Sequence, residues 1–290
     1  MMLQKGIFKE AGLLTKILHL FFAIIFFTLF ALAAWQLFTD KDTTNTQTLK
    51  LLQLFQSLGM FIIPPFVLAY LWSEKPFSYL KLNTSVHLWD VFMVILIMIL
   101  AIPAINLLSA VNQQLVLPDF LHSFEEWMKS TEAETAITTQ KFVQVKGIGA
   151  LAFNIFLMAI IPALGEELFF RGTVQKIFTE WKKAIPAIWI TAVIFSIIHF
   201  QFYGFVPRML LGAYFGYLLF WSGNLWLPII AHFINNALAV LFYYLKFNGY
   251  KVIDIDTIGT GNTIWLGILS LIVTLGSIIM LRKSFLNRNK

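Results

Sequence analysis

Not one of the 290 residues is cysteine. That excludes disulfides, thiolate metal centres and a cysteine nucleophile, and leaves the redox compartment unread. Charge is scarce too: Asp, Glu, Lys and Arg make up 12% of the chain, against 59% hydrophobic residues that include 30 Phe. So little polar surface cannot coat a soluble globule, and a mean hydropathy of +0.77 points instead to a polytopic membrane protein. There is no internal repeat, no low-complexity tract and no soluble domain; Asp40 to Asn45 is a short polar loop. The net charge of +6 does not indicate a nucleic-acid partner, because the Lys and Arg residues are spread along connections rather than gathered on one face.

What is present is a series of apolar segments. Lys5, Lys9 and Lys16 precede Ile17 to Phe38, which is too long for a cleavable signal core and lacks a small-x-small cleavage site, so it reads as a first span. Seven more follow, at Leu51 to Trp72, Leu88 to Val111, Gly147 to Phe170, Ala184 to Phe200, Met209 to Trp221, Leu225 to Leu245 and Ile264 to Leu281. The expectation is an all-α membrane protein of about eight transmembrane helices. The sixth is short, and Gly204 and Pro207 allow a re-entrant segment within Ala184 to Trp221.

Placing the N-terminus in the cytoplasm puts 13 of the 21 basic residues on inner segments, Arg171 and Lys290 among them, which favours both termini inside. The outer side then carries the longest connection, about Asn112 to Lys146, whose S-F-E-E-W-M-K-S-T-E-A-E-T pattern suggests an acidic amphipathic helix at the surface. Trp181, Trp221, Trp226, Tyr243 and Tyr244 read as interfacial anchors rather than substrate platforms.

One apolar run is interrupted by charge. Ile161 to Gly172 reads I-P-A-L-G-E-E-L-F-F-R-G, and ionisable groups there are costly enough to mark a functional site. Glu167 and Arg171 are four apart, so they stack on one helix face as an ion pair. Glu166 lies about 100° around the helix from Glu167 and is left without a local partner. Pro162 should bend the helix and Gly165 should admit a close neighbour, which together suggest a water-accessible cavity.

Two histidines are candidates to meet Glu166. His199 and His232 lie deep in apolar segments, whereas His19, also in a span, is expected to have no polar neighbour nearby. Lys182 and Lys183 mark a hairpin tip, with Glu166 16 residues before Lys182 and His199 16 after Lys183. If both arms are helical the two groups share one level, roughly 24 Å from the tip. His232 and Asn236 share a helix face, and Asn235 should point elsewhere. A carboxylate in a poorly solvated site can deprotonate water with help from a neutral His, and a second His with an Asn amide can donate to an oxyanion. Glu, His, His and Asn therefore describe a hydrolase, plausibly of amide bonds.

The pattern E-E-x-x-x-R (Glu166, Glu167, Arg171), F-x-x-x-H (Phe195, His199) and H-x-x-x-N (His232, Asn236) resembles the CPBP intramembrane proteases, the group containing the Ras-converting CAAX prenyl endopeptidase and the bacterial Abi proteins. The resemblance covers roughly Gly147 to Leu245. It implies an eight-helix intramembrane glutamic endopeptidase with its catalytic core on helices four, five and seven. By that likeness Glu166 is the general base, His199 assists it, and His232 and Asn236 form the oxyanion site. Glu167 and Arg171 would be structural support, and Phe195 would pack. The chain then divides into N-terminal helices and outer loop at 1–146, a protease core at 147–245, and a last loop and helix at 246–290.

No cofactor is expected. The competing mechanism is a zinc protease with Glu166, His199 and His232 as ligands, although no H-E-x-x-H pair exists. A non-catalytic membrane scaffold or immunity protein of the Abi type, and a proton-coupled carrier, are the readings outside the enzyme class. The expected partners are the lipid bilayer and a membrane-associated peptide or protein, lipid-anchored chains included, cut near its C-terminus in a cavity open to the cytoplasm.

Overall fold

The computed structural model describes residues 5–288 apart from 41, 43 and 116. Lys41 and Thr43 of the predicted polar loop, and Lys290 of the orientation count, lie outside the described residues. Among the described residues there is no strand, and each of the eight apolar segments is helical. The helices longer than one turn are α1 (Leu13–Phe38), α2 (Thr46–Trp72), α3 (Leu88–Leu100), α4 (Ile102–Asn112), α5 (His122–Val143), α6 (Ile148–Trp181), α7 (Ala184–Ile197), α8 (Phe205–Ser222), α9 (Trp226–Phe247) and α10 (Ile264–Arg288).

Five of these, α1, α2, α6, α9 and α10, are long and apolar enough to cross a membrane. A sixth span arises if α3 and α4 are one segment, bent by 43° where Pro103 enters the first turn of α4. The protein is an integral membrane protein. Helix α1 leaves Phe21, Phe22, Phe26, Leu29 and Phe30 exposed, as a helix facing lipid does.

The prolines act through local widening rather than breakage. Pro162 follows a π-helical turn at Phe156–Ile160, and Pro64 and Pro65 follow one at Leu58–Ile62. A proline supplies no N–H and crowds the preceding turn, and one extra residue in that turn relieves both. Helix α6 therefore runs unbroken for 34 residues. A third π-turn, Phe170–Val174, carries Arg171.

Polar contacts sort the connections onto two opposite faces. On one, Lys16 Nζ meets Glu180 Oε2 at 2.5 Å, Lys9 meets Glu74, Leu225 N donates to the Lys81 carbonyl, and Arg288 meets Asp90. This termini face holds both ends of the described chain and the α6–α7 hairpin tip. On the far face, Asn154 Nδ2 donates to the Phe142 carbonyl, Asn112 Nδ2 to that of Phe202 and Asn248 Nδ2 to that of Val145. The predicted acidic helix of the long connection is α5, and it lies across this far face.

Helices α7 and α8 pack as an antiparallel pair, yet α7 has only 14 residues and stops at Ile197 instead of continuing to Phe200. Phe200 has φ 52°, a left-handed conformation that a bulky side chain adopts only under constraint. The constraint comes from other segments: Ser196 Oγ donates to the Phe205 carbonyl at 2.7 Å, and Glu132 of α5 accepts the Tyr203 N–H at 3.2 Å. Beyond Ile197 the space beside α6 is therefore free of helix.

Candidate active site

The long helix α6 presents its two adjacent carboxylates in different directions, as their spacing requires. Glu167 is fully buried and its Oε1 accepts Arg171 Nη1 at 2.8 Å. Arg171 is itself 1% exposed, donates from Nη2 to the Gly212 carbonyl at 2.8 Å and lies 4.6 Å from the Phe195 ring centroid. Gly212 allows α8 to come this near, since a Cβ there would stand 3.1 Å from the Phe195 ring and 3.3 Å from Arg171. Gly165 plays the same part toward α2, with Phe61 and Ile62 3.0 Å from the position of a Cβ.

Glu167 has a second partner. The same Oε1 stands 2.8 Å from His232 Nδ1, so one oxygen joins α6 to α9 while also holding Arg171. A carboxylate oxygen only accepts, so the shared proton sits on Nδ1 and Nε2 is directed away from Glu167. It faces Glu166 instead, with Nε2 3.9 Å from Glu166 Oε2. His232 thus lies between the two neighbouring carboxylates and is held by the buried one.

His199 reaches the same carboxylate from α7. It sits in the turn that ends the helix, half-buried, with Nδ1 2.6 Å from the Phe195 carbonyl and Nε2 3.8 Å from Glu166 Oε2. The carbonyl fixes the proton on Nδ1, so a neutral His199 offers its Nε2 lone pair toward Glu166. Phe195 contributes twice, since its buried ring meets His199 edge-on at 4.9 Å while its backbone orients that imidazole.

Glu166 Oε2 is buried and has no hydrogen-bond partner, although two ring nitrogens face it at 3.8 and 3.9 Å. Those separations are too long for direct hydrogen bonds and suit one bridging water. The carboxylate lines a cavity of about 440 Å³ shared with His199, His232 and Asn236. Asn236 Oδ1 is occupied by the Asn235 amide at 3.2 Å, which leaves the Asn236 amide N–H groups to the cavity.

Several expectations need correction. Asn235 also lines the cavity, because the opening is wide enough to reach two adjacent positions of α9. Tyr243 lines it as well, with its hydroxyl 2.7 Å from Asp256, so it also faces the site. His19 accepts from Trp72 Nε1 at 3.2 Å and so has a polar partner. Arg171 is in the core and contributes no charge to a loop. The cavity does not open beside the hairpin tip and the termini; it continues toward the far face, past Thr139, Val143 and Gln201.

Arg208, absent from the sequence reading, also lines the cavity and donates to both oxygens of Gln201. An arginine at the very start of an apolar segment was itself the signal. Among the described residues no group of three His, Cys, Asp or Glu is arranged to hold a metal ion.

Residues 148–238, which run from the start of α6 into α9 and include every residue of the three motifs, match the family described as Type II CAAX prenyl endopeptidase Rce1-like. The resemblance seen in the motifs is borne out by this match. A curated relative, the uncharacterized protein YpbD of Bacillus subtilis (strain 168), is 28% identical over 88 residues, which are 29% of this chain and 42% of the relative. The chain thus spans less than half the length of that relative. No solved structure matches the chain.

Proposed function

We propose that the protein is an intramembrane endopeptidase in which Glu166 activates water against a peptide bond of a membrane-associated substrate. The observation that carries this reading is the buried, unpartnered Glu166 Oε2 facing the Nε2 atoms of His199 and His232. A water between these groups donates one hydrogen to Glu166 and the other to the His199 lone pair, which leaves its own lone pair for the substrate carbonyl carbon. As the O–C bond forms, Glu166 takes the proton and the carbonyl oxygen becomes an oxyanion. The Asn236 amide is placed to donate to it, and so is His232 Nε2 once that nitrogen takes up a proton, its Nδ1–H being held by Glu167. Collapse of the tetrahedral intermediate breaks the C–N bond, and the proton on Glu166 passes to the leaving amine.

Glu167 and Arg171 are positioning residues in this scheme, since they touch His232 and the backbone of α8 but not the cavity. The scheme needs no metal. Two ligands of a tetrahedral zinc at about 2.1 Å stand about 3.4 Å apart, and the separations here are longer. The basic termini face is cytoplasmic by its excess of Lys and Arg, so both termini lie inside.

The test compares membrane proteomes of cells carrying the wild-type and the Glu166→Gln protein. Chains that accumulate uncut only with the variant are the expected result. Equal proteomes, with both proteins folded and equally abundant, would refute the peptidase reading in favour of a scaffold.

A further inference from the structure

We infer that the cavity takes its substrate from the non-cytoplasmic side of the membrane, as an extended juxtamembrane peptide segment rather than a cytoplasmic lipid-modified C-terminus. The inference rests on the peptidase reading for the word substrate; the direction of access stands on geometry and charge.

The geometry concerns which way water and peptide reach Glu166. Toward the termini face the site is sealed by packed side chains: Leu168, Leu225 and Ile229 form one buried cluster, and Phe215, Leu218, Leu227 and Ala231 belong to another. Six of these seven are less than 2% exposed. Toward the far face nothing comparable intervenes, because α7 ends at Ile197 and only the 198–204 connection and α5 lie above His199. The active cavity is lined there by Thr139, Val143, Gln201 and Tyr243. A second cavity of about 430 Å³ shares those four residues and carries the opening to Lys246 and Phe247 at the end of α9. Lys246 is exposed and pairs with Asp254 in the far-face loop. Its walls offer amides and hydroxyls from Thr139, Gln140, Gln144 and Gln201, groups suited to an extended peptide backbone.

Charge decides which side that face is. With the connections sorted by their contacts, the termini face holds eleven described Lys and Arg residues from Lys5 to Arg288. The far face holds six: Lys50, Lys129, Lys141, Lys146, Lys246 and Lys251. Arg171 and Arg208 belong to neither, being drawn into the site. Lys50, bound to Asn154, and Lys16, paired with Glu180, are both buried, and setting them aside leaves ten against five. An excess of this size near span ends keeps the termini face in the cytoplasm. The far face also carries Asp119, Glu125, Glu126, Glu132 and Glu134 on and beside α5, although acidic residues set orientation only weakly. A site sealed toward the basic face and open toward the other is served from outside the cytoplasm.

The absence of cysteine makes the test direct. Single cysteines are introduced at Gln140 on α5, at Lys182 at the hairpin tip, and at Ala239 within the cavity, each in the full chain expressed in cells. A membrane-impermeant maleimide applied to intact cells is expected to label Gln140→Cys and Ala239→Cys. Lys182→Cys should react at least tenfold more after permeabilisation than before. Labelling of Lys182→Cys in intact cells overturns the assignment, as does labelling of Ala239→Cys only together with Lys182→Cys, or no reaction at Ala239→Cys under either condition. In parallel, the cut ends of chains that differ between wild-type and Glu166→Gln cells are mapped, and they should lie on the non-cytoplasmic side. Cytoplasmic cut ends overturn the inference while leaving the peptidase standing. Expected labelling with no differing chains leaves the direction of access in place and removes the peptidase.

Discussion

His232 Nδ1 and Glu167 Oε1 meet at 2.8 Å across 65 residues of sequence, on an oxygen that also holds Arg171. This contact gives the second glutamate of the pair a task beyond neutralising a buried arginine. It sets which nitrogen of His232 bears the fixed proton and turns the other toward Glu166. Glu167→Gln should therefore lower kcat on the order of 100-fold or more with KM little changed, because the amide can present an N–H to Nδ1 and reverse the ring's proton arrangement. A single-turnover assay on a substrate found by the proteome comparison separates this from lost binding, and KM rising in place of kcat falling would contradict it.

Glu166→Gln is the sharper substitution. The amide is nearly isosteric, and Oε2 gives up no protein hydrogen bond in the exchange. Cleavage should fall by about 10²- to 10⁴-fold, the loss of a general base, while thermal unfolding in detergent stays at the wild-type temperature. A variant that unfolds early would mean that Glu166 is structural.

Arg171→Met tests the buried pair from its other end. Removing the guanidinium leaves Glu167 charged and buried without its cation, at a cost of about 3–5 kcal/mol. The double variant Arg171→Met with Glu167→Gln removes both charges and should recover part of that loss, as read from denaturant midpoints of the purified protein. Additive losses would show that the two side chains are not coupled.

The sequence was legible where one helix decides the matter and illegible where several segments do. The four-residue spacing of Glu167 and Arg171 was enough to pair them, and equal counts from the hairpin tip brought Glu166 and His199 to one level. All eight apolar segments are helical. The early end of α7 was not readable, because Ile197 to Phe200 is as apolar as the helix before it. What stops the helix is a left-handed Phe200 and bonds from Ser196 and Glu132 to a connection that periodicity does not see. The direction of the cavity depends on that stop, and so does the lining by Gln201 and Tyr243. His232 bonding to Glu167 likewise follows from the approach of α9 to α6, which no local pattern encodes.

Gly165 permits a test of how closely α6 must approach α2. A Cβ there would stand 3.0 Å from both Phe61 and Ile62, so the branched side chain of Gly165→Val forces the helices apart. Overpacking of this kind costs about 1–3 kcal/mol, and a shifted α6 would carry Glu166 away from both histidines. Gly276→Val, at a site with nothing within 4 Å of a Cβ, is the control for the substitution itself. The first variant should lose stability and cleavage together and the second neither; equal behaviour would show that the approach is not tight.

Metal dependence is the point at which the same three side chains allow two chemistries. His199 and His232 both direct Nε2 at Glu166, and both are held from behind, by the Phe195 carbonyl and by Glu167, as ligands of a catalytic zinc commonly are. The distances favour water: 3.8 and 3.9 Å exceed the roughly 3.4 Å between neighbouring ligands of a tetrahedral zinc. Asn236 adds a neutral amide one turn from His232, which suits an oxyanion better than a soft metal. Purified wild-type protein should therefore contain less than about 0.1 equivalent of zinc and keep its cleavage rate through prolonged exposure to a strong chelator. A stoichiometric metal content that falls in step with activity, and is restored with it by added zinc, would transfer Glu166 from base to ligand.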